Sequence, residues 1–173
     1  MSVDTPHTST VVAWRWLALA ISVATADQLT KSAVSTLMIY GQSIPLTDFF
    51  NLVHVWNTGA AFSFLADAGG WQRYFFIVIT LGVSICLTVM LCRPCRRIEA
   101  LGYSLILGGA LGNGFDRVVR GYVIDSLDFY WRSWHWPAFN LADIGIVLGV
   151  CCMIWATYKP EVTQGSTASE SST

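Results

Sequence analysis

The chain has 173 residues, a length that predicts a single domain covering residues 1–173. Hydrophobic residues make up 54% of it and charged residues only 12%, about half of the ~25% that is usual in soluble domains. This composition predicts a protein of the lipid bilayer. The formal net charge of −1 argues against a nucleic-acid-binding protein, which would be clearly basic.

Apolar stretches divide the chain into segments of the length that a membrane-spanning helix needs, ~20 residues. Four spans are predicted, at residues 11–31, 73–92, 99–117 and 141–158. The tails at 1–10 and 160–173 are rich in Ser and Thr and lack apolar periodicity, so they are predicted to be disordered. Ala24-Thr-Ala26 imitates the cleavage site of a secretory signal, but the polar residues that follow it favour retention of the first span.

The orientation follows from the short loop between the second and third spans, which contains Arg93, Arg96 and Arg97. The positive-inside rule places this loop in the cytoplasm. Four crossings then leave both termini in the cytoplasm and the connections 32–73 and 118–140 outside. Residues 49–56, rich in β-branched and aromatic side chains, predict a strand in the first outer connection.

Carboxylates inside a membrane are costly, and they usually mark functional sites. The predicted topology brings four aspartates from separate parts of the chain to the outer face of the membrane: Asp27, Asp116, Asp125 and Asp143. Lys31 stands four residues after Asp27 and can neutralise it, and Arg117 is predicted to neutralise Asp116. Asp125 and Asp143 have no such local cation, so these two are predicted to form the functional pair.

Two neighbouring carboxylates cannot both ionise easily, so they share a proton, as in aspartic proteases. The ionised member can take a proton from water, while the protonated member polarises the scissile carbonyl and later protonates the leaving amine. No metal site is predicted, because the sequence lacks an HExxH motif and its three histidines are scattered.

Other functions and sites remain to be weighed against this one. A small transporter or proton-relay protein also uses membrane aspartates, but it should carry one near the middle of the bilayer. A non-catalytic assembly protein would need the small-residue spacing of Gly108 and Gly112 for helix packing, but not the paired carboxylates. Cys92 and Cys95 have CxxC spacing without the context of a redox or zinc site, and this spacing is interpreted as incidental.

Five motifs then stand out in chain order: DQLTK at 27–31, NTGAAFS at 57–63, GGALGNGFDR at 108–117, VID at 123–125 and FNLAD at 139–143. In sequence and in order they resemble the motifs of bacterial lipoprotein signal peptidases (signal peptidase II). The resemblance implies an α-helical integral membrane protein of the bacterial cytoplasmic (inner) membrane. Four transmembrane helices and a small extracytoplasmic β-cradle would hold an active site that faces outward.

The resemblance also implies an activity and a set of residues. The family's enzymes are aspartyl endopeptidases that remove the signal peptide from diacylglyceryl-modified prolipoproteins, on the amino side of the lipidated cysteine and without a metal or cofactor. Asp125 and Asp143 would be the catalytic dyad. Residues that would bind substrate or support the site are Asp27, Lys31, Asn57, Gly59, Asn113, Asp116, Arg117 and Asn140. The expected partners are the prolipoprotein and membrane lipid, and a monomer is expected.

One position departs from the family's pattern. Ser126 follows Asp125, where the family usually has a bulky apolar residue. The departure is interpreted as tolerated drift, the alternative being a roomier or more polar site beside the dyad.

Overall fold

A computed structural model describes residues 9–59 and 69–158, with side chains from residue 13 onward. The predicted disordered tails lie outside the described residues, except for residues 9 and 10, which belong to the first helix, so the prediction of disorder is wrong for these two. Residues 60–63 of the NTGAAFS motif also lie outside the described residues. The described residues form four helices: α1 (Ser9–Leu37), α2 (Gln72–Leu91), α3 (Arg97–Val119) and α4 (Leu141–Tyr158).

Two of these helices, α2 and α4, are long and apolar enough to cross a bilayer. Their mean hydropathies are 2.4 and 1.8, and only 11% and 22% of these spans is buried within the protein. Large apolar side chains such as Val78 and Val147 are more than half exposed. Because water would disfavour so much exposed apolar surface, these faces suit contact with lipid.

Helix α3 lies at the centre of the helical layer and packs against α1, α2 and α4. Glycines make the close contacts possible. A Cβ atom on Gly108 would lie 2.6 Å from the carbonyl oxygen of Ala20 in α1, and one on Gly149 of α4 would lie 2.7 Å from the carbonyl oxygen of Gly102. Such small-residue contacts are typical of helices that associate in membranes.

The second layer is a small antiparallel sheet with strand order β1-β2-β3-β4. Its strands are β1 (Ser43–Thr47), β2 (Phe50–Asn57), β3 (Val123–Trp131) and β4 (Trp134–His135). The predicted strand at 49–56 corresponds to β2, and the prediction of a small β-structure beside the helices is confirmed. Pairing of Val55 with Asp125 and of Asn57 with Val123 brings the end of β2 to the start of β3, directly above α3 and α4.

The glycine contacts generate a stability prediction. Gly108→Ala should lower the free energy of unfolding by ~1–3 kcal/mol, because the added methyl group overpacks the α1–α3 interface. Thermal unfolding of the purified protein in detergent would measure the change. Gly82→Ala on α2 is the matched control, since a Cβ there meets nothing within 4 Å and the higher helix propensity of alanine should leave stability equal or slightly raised. Equal losses at both positions would contradict the prediction.

Candidate active site

The carboxylate of Asp125 is held by two side-chain amides. Asn57 Nδ2 donates to Asp125 Oδ2 at 3.0 Å, and Asn140 Nδ2 donates to Asp125 Oδ1 at 2.7 Å. The amide of Asn57 is oriented in turn, because its Oδ1 accepts the backbone N–H of Gly59 at 3.0 Å, as Asn side chains do in Asx turns. The end of β2 and the residue before α4 therefore position this carboxylate, which lies on β3.

The start of α4 fixes the position of Asp143. Asn140 precedes the helix, and its Oδ1 accepts the N–H of Asp143 at 3.1 Å, while Asp143 Oδ2 accepts the N–H of Asn140 at 3.2 Å. This reciprocal pair has the geometry of a capping box. The other oxygen of Asp143 accepts Asn113 Nδ2 at 2.8 Å. The Asn140 side chain thus contacts Asp125 with its nitrogen and the N–H of Asp143 with its oxygen.

Both carboxylates line one cavity of about 810 Å³ between α2, α3, α4 and the sheet. Its wall also includes Asn57, Asn113 and Arg117, and the remainder is largely apolar, with Phe76 and Phe139 among its members. A few convergent polar groups in an apolar concave site are typical of ligand-binding cavities. The cavity can therefore take an apolar ligand while presenting the carboxylates to one part of it.

Arg117 contributes a buried cation to this cavity. Its Nη2 donates to the carbonyl oxygen of Gly59 at 2.7 Å, Nη1 donates to the carbonyl of Asn113 at 3.3 Å, and the guanidinium lies 4.7 Å from the centre of the Phe76 ring. The prediction that Arg117 neutralises Asp116 is wrong. Adjacent residues on a helix point in different directions, so Arg117 reaches the cavity while Asp116 points towards α1.

Asp116 instead belongs to a buried charge cluster centred on Lys31. Lys31 Nζ lies 2.8 Å from Asp27 Oδ2 and 3.0 Å from Asp116 Oδ2, and all three side chains are fully buried. Lys31 also donates to Asn113 Oδ1 at 2.8 Å, and Arg120 forms a second ion pair with Asp116. The predicted pairing of Asp27 with Lys31 is confirmed.

The structure separates the predicted site residues into two groups. One group lines the cavity or fixes its walls: Asn57, Gly59, Asn113, Arg117, Asp125, Asn140 and Asp143. The other forms the buried cluster behind α3: Asp27, Lys31 and Asp116. Asn113 joins them, since its oxygen accepts Lys31 and its nitrogen donates to Asp143.

Two polar residues at the cluster were not predicted. Gln28 donates to Asp116 Oδ1 at 3.1 Å and to the carbonyl of Gly112 at 3.0 Å, and its own oxygen accepts Arg120 Nη1 at 3.1 Å. The sequence contained a signal for both residues. Arg120 stands four residues after Asp116, a spacing at which side chains of a helix meet, and Gln28 lies within the DQLTK motif. Ser126, the departure from the family's pattern, is buried, and its backbone N–H donates to the carbonyl of Phe139.

The two carboxylates of the cavity differ in their electrostatic surroundings. Burial, and after it the negative charge of Asp143, raises the pKa of Asp125 from 3.8 to about 7, against the opposing effect of the Asn57 and Asn140 amides. Asp143 lies in the first turn of α4, where the positive end of the helix dipole favours a negative charge. Within residues 9–59 and 69–158, no ion pair neutralises either carboxylate, and no cluster of His, Cys, Asp and Glu has the arrangement of a metal site.

Comparison with known proteins places this geometry in a family. The model of the signal peptidase (SPase) II family matches residues 19–159. The chain belongs to the signal peptidase II family. The predictions of this family and of an aspartic peptidase are confirmed, and the transporter and assembly-protein hypotheses lose their support.

Individual members of the signal peptidase II family are close in sequence. The lipoprotein signal peptidase of Serratia marcescens is 57% identical over 138 residues, covering 80% of this chain and 81% of the relative. That of Aeromonas hydrophila is 50% identical over 150 residues, covering 85% and 90%.

Solved structures support the fold. A bacterial membrane enzyme, 30% identical, matches with a TM-score of 0.77 over 90% of this chain and 94% of its own. A second such structure, 31% identical, matches with a TM-score of 0.73 over 85% and 94%. The chain is therefore a membrane protein with the helix-and-sheet architecture of these enzymes.

The buried cluster of this signal peptidase II family member generates a second prediction. Lys31→Met should lower the free energy of unfolding by ~3–5 kcal/mol, because it leaves Asp27 and Asp116 buried without their shared cation. Thermal and denaturant unfolding in detergent would measure it. Glu99→Gln is the control, since it breaks the partly exposed pair of Arg96 and Glu99 and should change stability by no more than about 1 kcal/mol. A Lys31→Met protein as stable as wild type would refute the structural role of the cluster.

Proposed function

We propose that this chain removes the signal peptide from diacylglyceryl-modified prolipoproteins, by hydrolysing the peptide bond on the amino side of the lipidated cysteine. The observation that carries this proposal is the Asn140 side chain, which holds Asp125 at 2.7 Å and caps the helix turn that presents Asp143. Two carboxylates in one apolar cavity, joined by an amide rather than by a cation, have the composition of an aspartic peptidase dyad.

The surroundings of the two carboxylates favour different roles for them. The raised pKa of Asp125 favours this side chain as the holder of the shared proton. We assign the ionised position of the pair to Asp143, which lies in the first turn of α4. Asp143 then accepts a proton from the attacking water, and Asp125 donates its proton to the carbonyl oxygen of the scissile bond.

Hydrolysis is completed by transfer of the proton now held by Asp143 to the amine of the leaving cysteine. The C–N bond breaks as the tetrahedral centre collapses to a carboxyl group, and a proton returns to Asp125 from the hydroxyl that formed there. Both aspartates regain their starting protonation states. The amides of Asn57, Asn113 and Asn140 keep their geometry through these steps, because they donate to the carboxylates in every protonation state.

The cavity suits such a substrate. Its apolar wall runs from the dyad along α2, α3 and α4, and both a signal peptide and the acyl chains of a diacylglyceryl group are apolar. Arg117, held by the carbonyl of Gly59, and Asn113 supply polar groups next to the dyad. We therefore assign to these residues and to Asn57 the binding and orientation of the substrate backbone, and to Asp27, Lys31 and Asp116 the support of the site from behind.

The proposal extends to the placement of the chain in the membrane. We propose that α1 and α3 cross the bilayer together with α2 and α4, since Asp27 and Lys31 of α1 and Asp116 of α3 form ion pairs inside the protein. The arginine-rich loop between α2 and α3 then lies in the cytoplasm with both termini. The sheet and the dyad then lie at the outer face of the inner membrane, and both water and the lipidated cysteine can reach the dyad there. We expect a monomer in contact with membrane lipid, because every described residue assigned to the site comes from one chain.

The dyad assignment predicts the effect of isosteric substitutions. Asp125→Asn and Asp143→Asn should each reduce cleavage of a diacylglyceryl-modified prolipoprotein by at least ~100-fold, because each removes a proton-transfer group. Purified protein in lipid or detergent would be assayed by the release of the signal peptide.

Asp128→Asn is the matched control for these variants. Asp128 lies on the same strand as Asp125 and is also buried, but it bonds to Asn51 and His135 away from the dyad. This variant should retain most of its activity. Substantial cleavage by either dyad variant, at an unfolding temperature like that of wild type, would reject the assignment.

The raised pKa of Asp125 predicts a pH dependence. The value of kcat/KM should fall by about tenfold per pH unit above about pH 7, because the pair then loses the proton that the carbonyl oxygen must receive. A pH–rate profile at low substrate concentration would show this limb.

Stability provides an independent check on the same group. A raised pKa in the folded state means that the contribution of Asp125 to stability is present below pH 3.8 and is lost as the pH rises through about 7. Asp125→Asn cannot ionise, so it should gain stability relative to wild type between these two pH values. A difference in unfolding temperature that stays constant across this range would show that Asp125 has an ordinary pKa.

A further inference from the structure

A second groove lies on the other side of the α2–α3 contact from the active-site cavity. We call it the rear groove, and it runs between α1, α2 and α3 with a volume of about 610 Å³. Its apolar wall includes Ile21, Leu29, Leu81, Leu111 and Phe115. The volume falls within the ~300–1,000 Å³ of small-molecule sites, and none of the residues assigned to the dyad lines it.

The dimensions of the rear groove match one leaflet of a bilayer. Its lining on α1 extends from Ile21 to Ser32, which is about 16 Å at the 1.5 Å rise of an α-helix. The hydrocarbon core of a bilayer is ~30 Å thick, so each leaflet contributes about half of that. The groove therefore extends from the level of the buried charge cluster to about the middle of the membrane.

Polar and cationic groups lie at the rim end of the rear groove. Gln28 lines the groove and accepts Arg120 Nη1 at 3.1 Å, and the Arg120 side chain is 22% exposed. Arg73 caps the end of α3, with Nε 2.7 Å from the carbonyl of Arg117 and Nη2 2.6 Å from that of Val118. The charge of Arg120 is balanced by its ion pair with Asp116, whereas no ion pair among the described residues neutralises Arg73. Arg73 therefore supplies the net positive charge where the apolar groove meets the membrane surface, and guanidinium is the side-chain group best suited to phosphate.

We propose that the rear groove binds a glycerophospholipid from the leaflet that contains the active site. One acyl chain lies between α1 and α2, and the phosphate lies beside Arg120 and Arg73. The proposal depends on the membrane location of the chain and not on its peptidase activity. An apolar chain with an anionic head matches both the apolar lining of the groove and the positive charge of Arg73 at its rim.

The bound lipid has a structural consequence for the active site. Leu87 and Leu91 bury the far end of α2 against α1 and α3, whereas the rim half of α2 is separated from α1 by the rear groove. Thr80 lines both the rear groove and the active-site cavity, and it contacts α3 where Gly114 leaves room. An acyl chain in the rear groove therefore supports the α2 wall of the active-site cavity from behind.

Native mass spectrometry and thermal unfolding test the proposal. Ala24 lines the groove, so Ala24→Phe should fill it. Ala33→Phe on the same helix is the matched control, because Ala33 is exposed and lies outside the groove. Wild type and Ala33→Phe should retain one phospholipid after detergent purification, and added dioleoylphosphatidylglycerol should raise their unfolding temperatures. Ala24→Phe should lose both properties, and dioleoylglycerol, which lacks the phosphate, should give a smaller shift than the phospholipid with wild type.

Cross-linking of the unaltered protein provides a measurement that does not depend on the folding of a variant. A phosphatidylglycerol with a diazirine in its acyl chain should label residues of the rear groove on α1, α2 and α3 above the other lipid-facing surfaces. Labelling spread evenly over the exposed faces of α2 and α4 would overturn the proposal. Equal shifts with dioleoylglycerol and the phospholipid, or an unchanged lipid count in Ala24→Phe, would do the same, since they indicate only bulk lipid around the protein.

Discussion

The Lys31 ammonium is fully buried between Asp27 and Asp116, and three helices take their relative positions from it. Asp27 lies on α1 with Lys31, Asp116 lies on α3, and Asp27 Oδ1 also accepts the backbone N–H of Ala142 in α4 at 2.9 Å. A buried charge that loses its partner destabilises a fold by several kcal/mol. Arrangements of α1, α3 and α4 that leave one of these groups unpaired are therefore strongly disfavoured, and the start of α4, where Asp143 lies, is fixed with them.

The four aspartates form two pairs that differ in their neighbours: one pair contacts cations, and the other contacts side-chain amides. Asp27 and Asp116 are paired with Lys31, and Asp116 also with Arg120. Asp125 and Asp143 receive side-chain amides from Asn57, Asn140 and Asn113. A cation balances the charge of a carboxylate that it contacts, whereas neutral donors fix the position of a carboxylate without adding a charge. A dyad that must hold and release a proton needs the second kind of neighbour.

The spacing of residues along the chain predicted the contacts of this site that lie within one helix turn. It failed for the contacts that depend on the tertiary structure. The pairing of Asp27 with Lys31 follows from their i, i+4 spacing. Arg117 was assigned to Asp116 from adjacency, although neighbours along a helix diverge, and Arg120 at i+4 is the cation that pairs. Strand β3 was not predicted. Its aspartates contact Asn57 of β2, the Asn140 amide and His135, and the sequence of β3 alone does not reveal these partners.

The Asn140 side chain ties the positions of Asp125 and Asp143 to the backbone at the start of α4. Its oxygen satisfies an N–H of the first turn of α4 and its nitrogen holds Asp125 on β3, so the capping of a helix and the spacing of two carboxylates depend on one planar amide. The rigidity of that amide leaves the two carboxylates little freedom to move apart or to rotate. Groups fixed in this way need little reorganisation when charge develops during a reaction, which is a main source of catalysis in enzyme sites. In the function proposed above, the helix cap that starts α4 therefore also holds Asp125 and Asp143 ready for proton transfer.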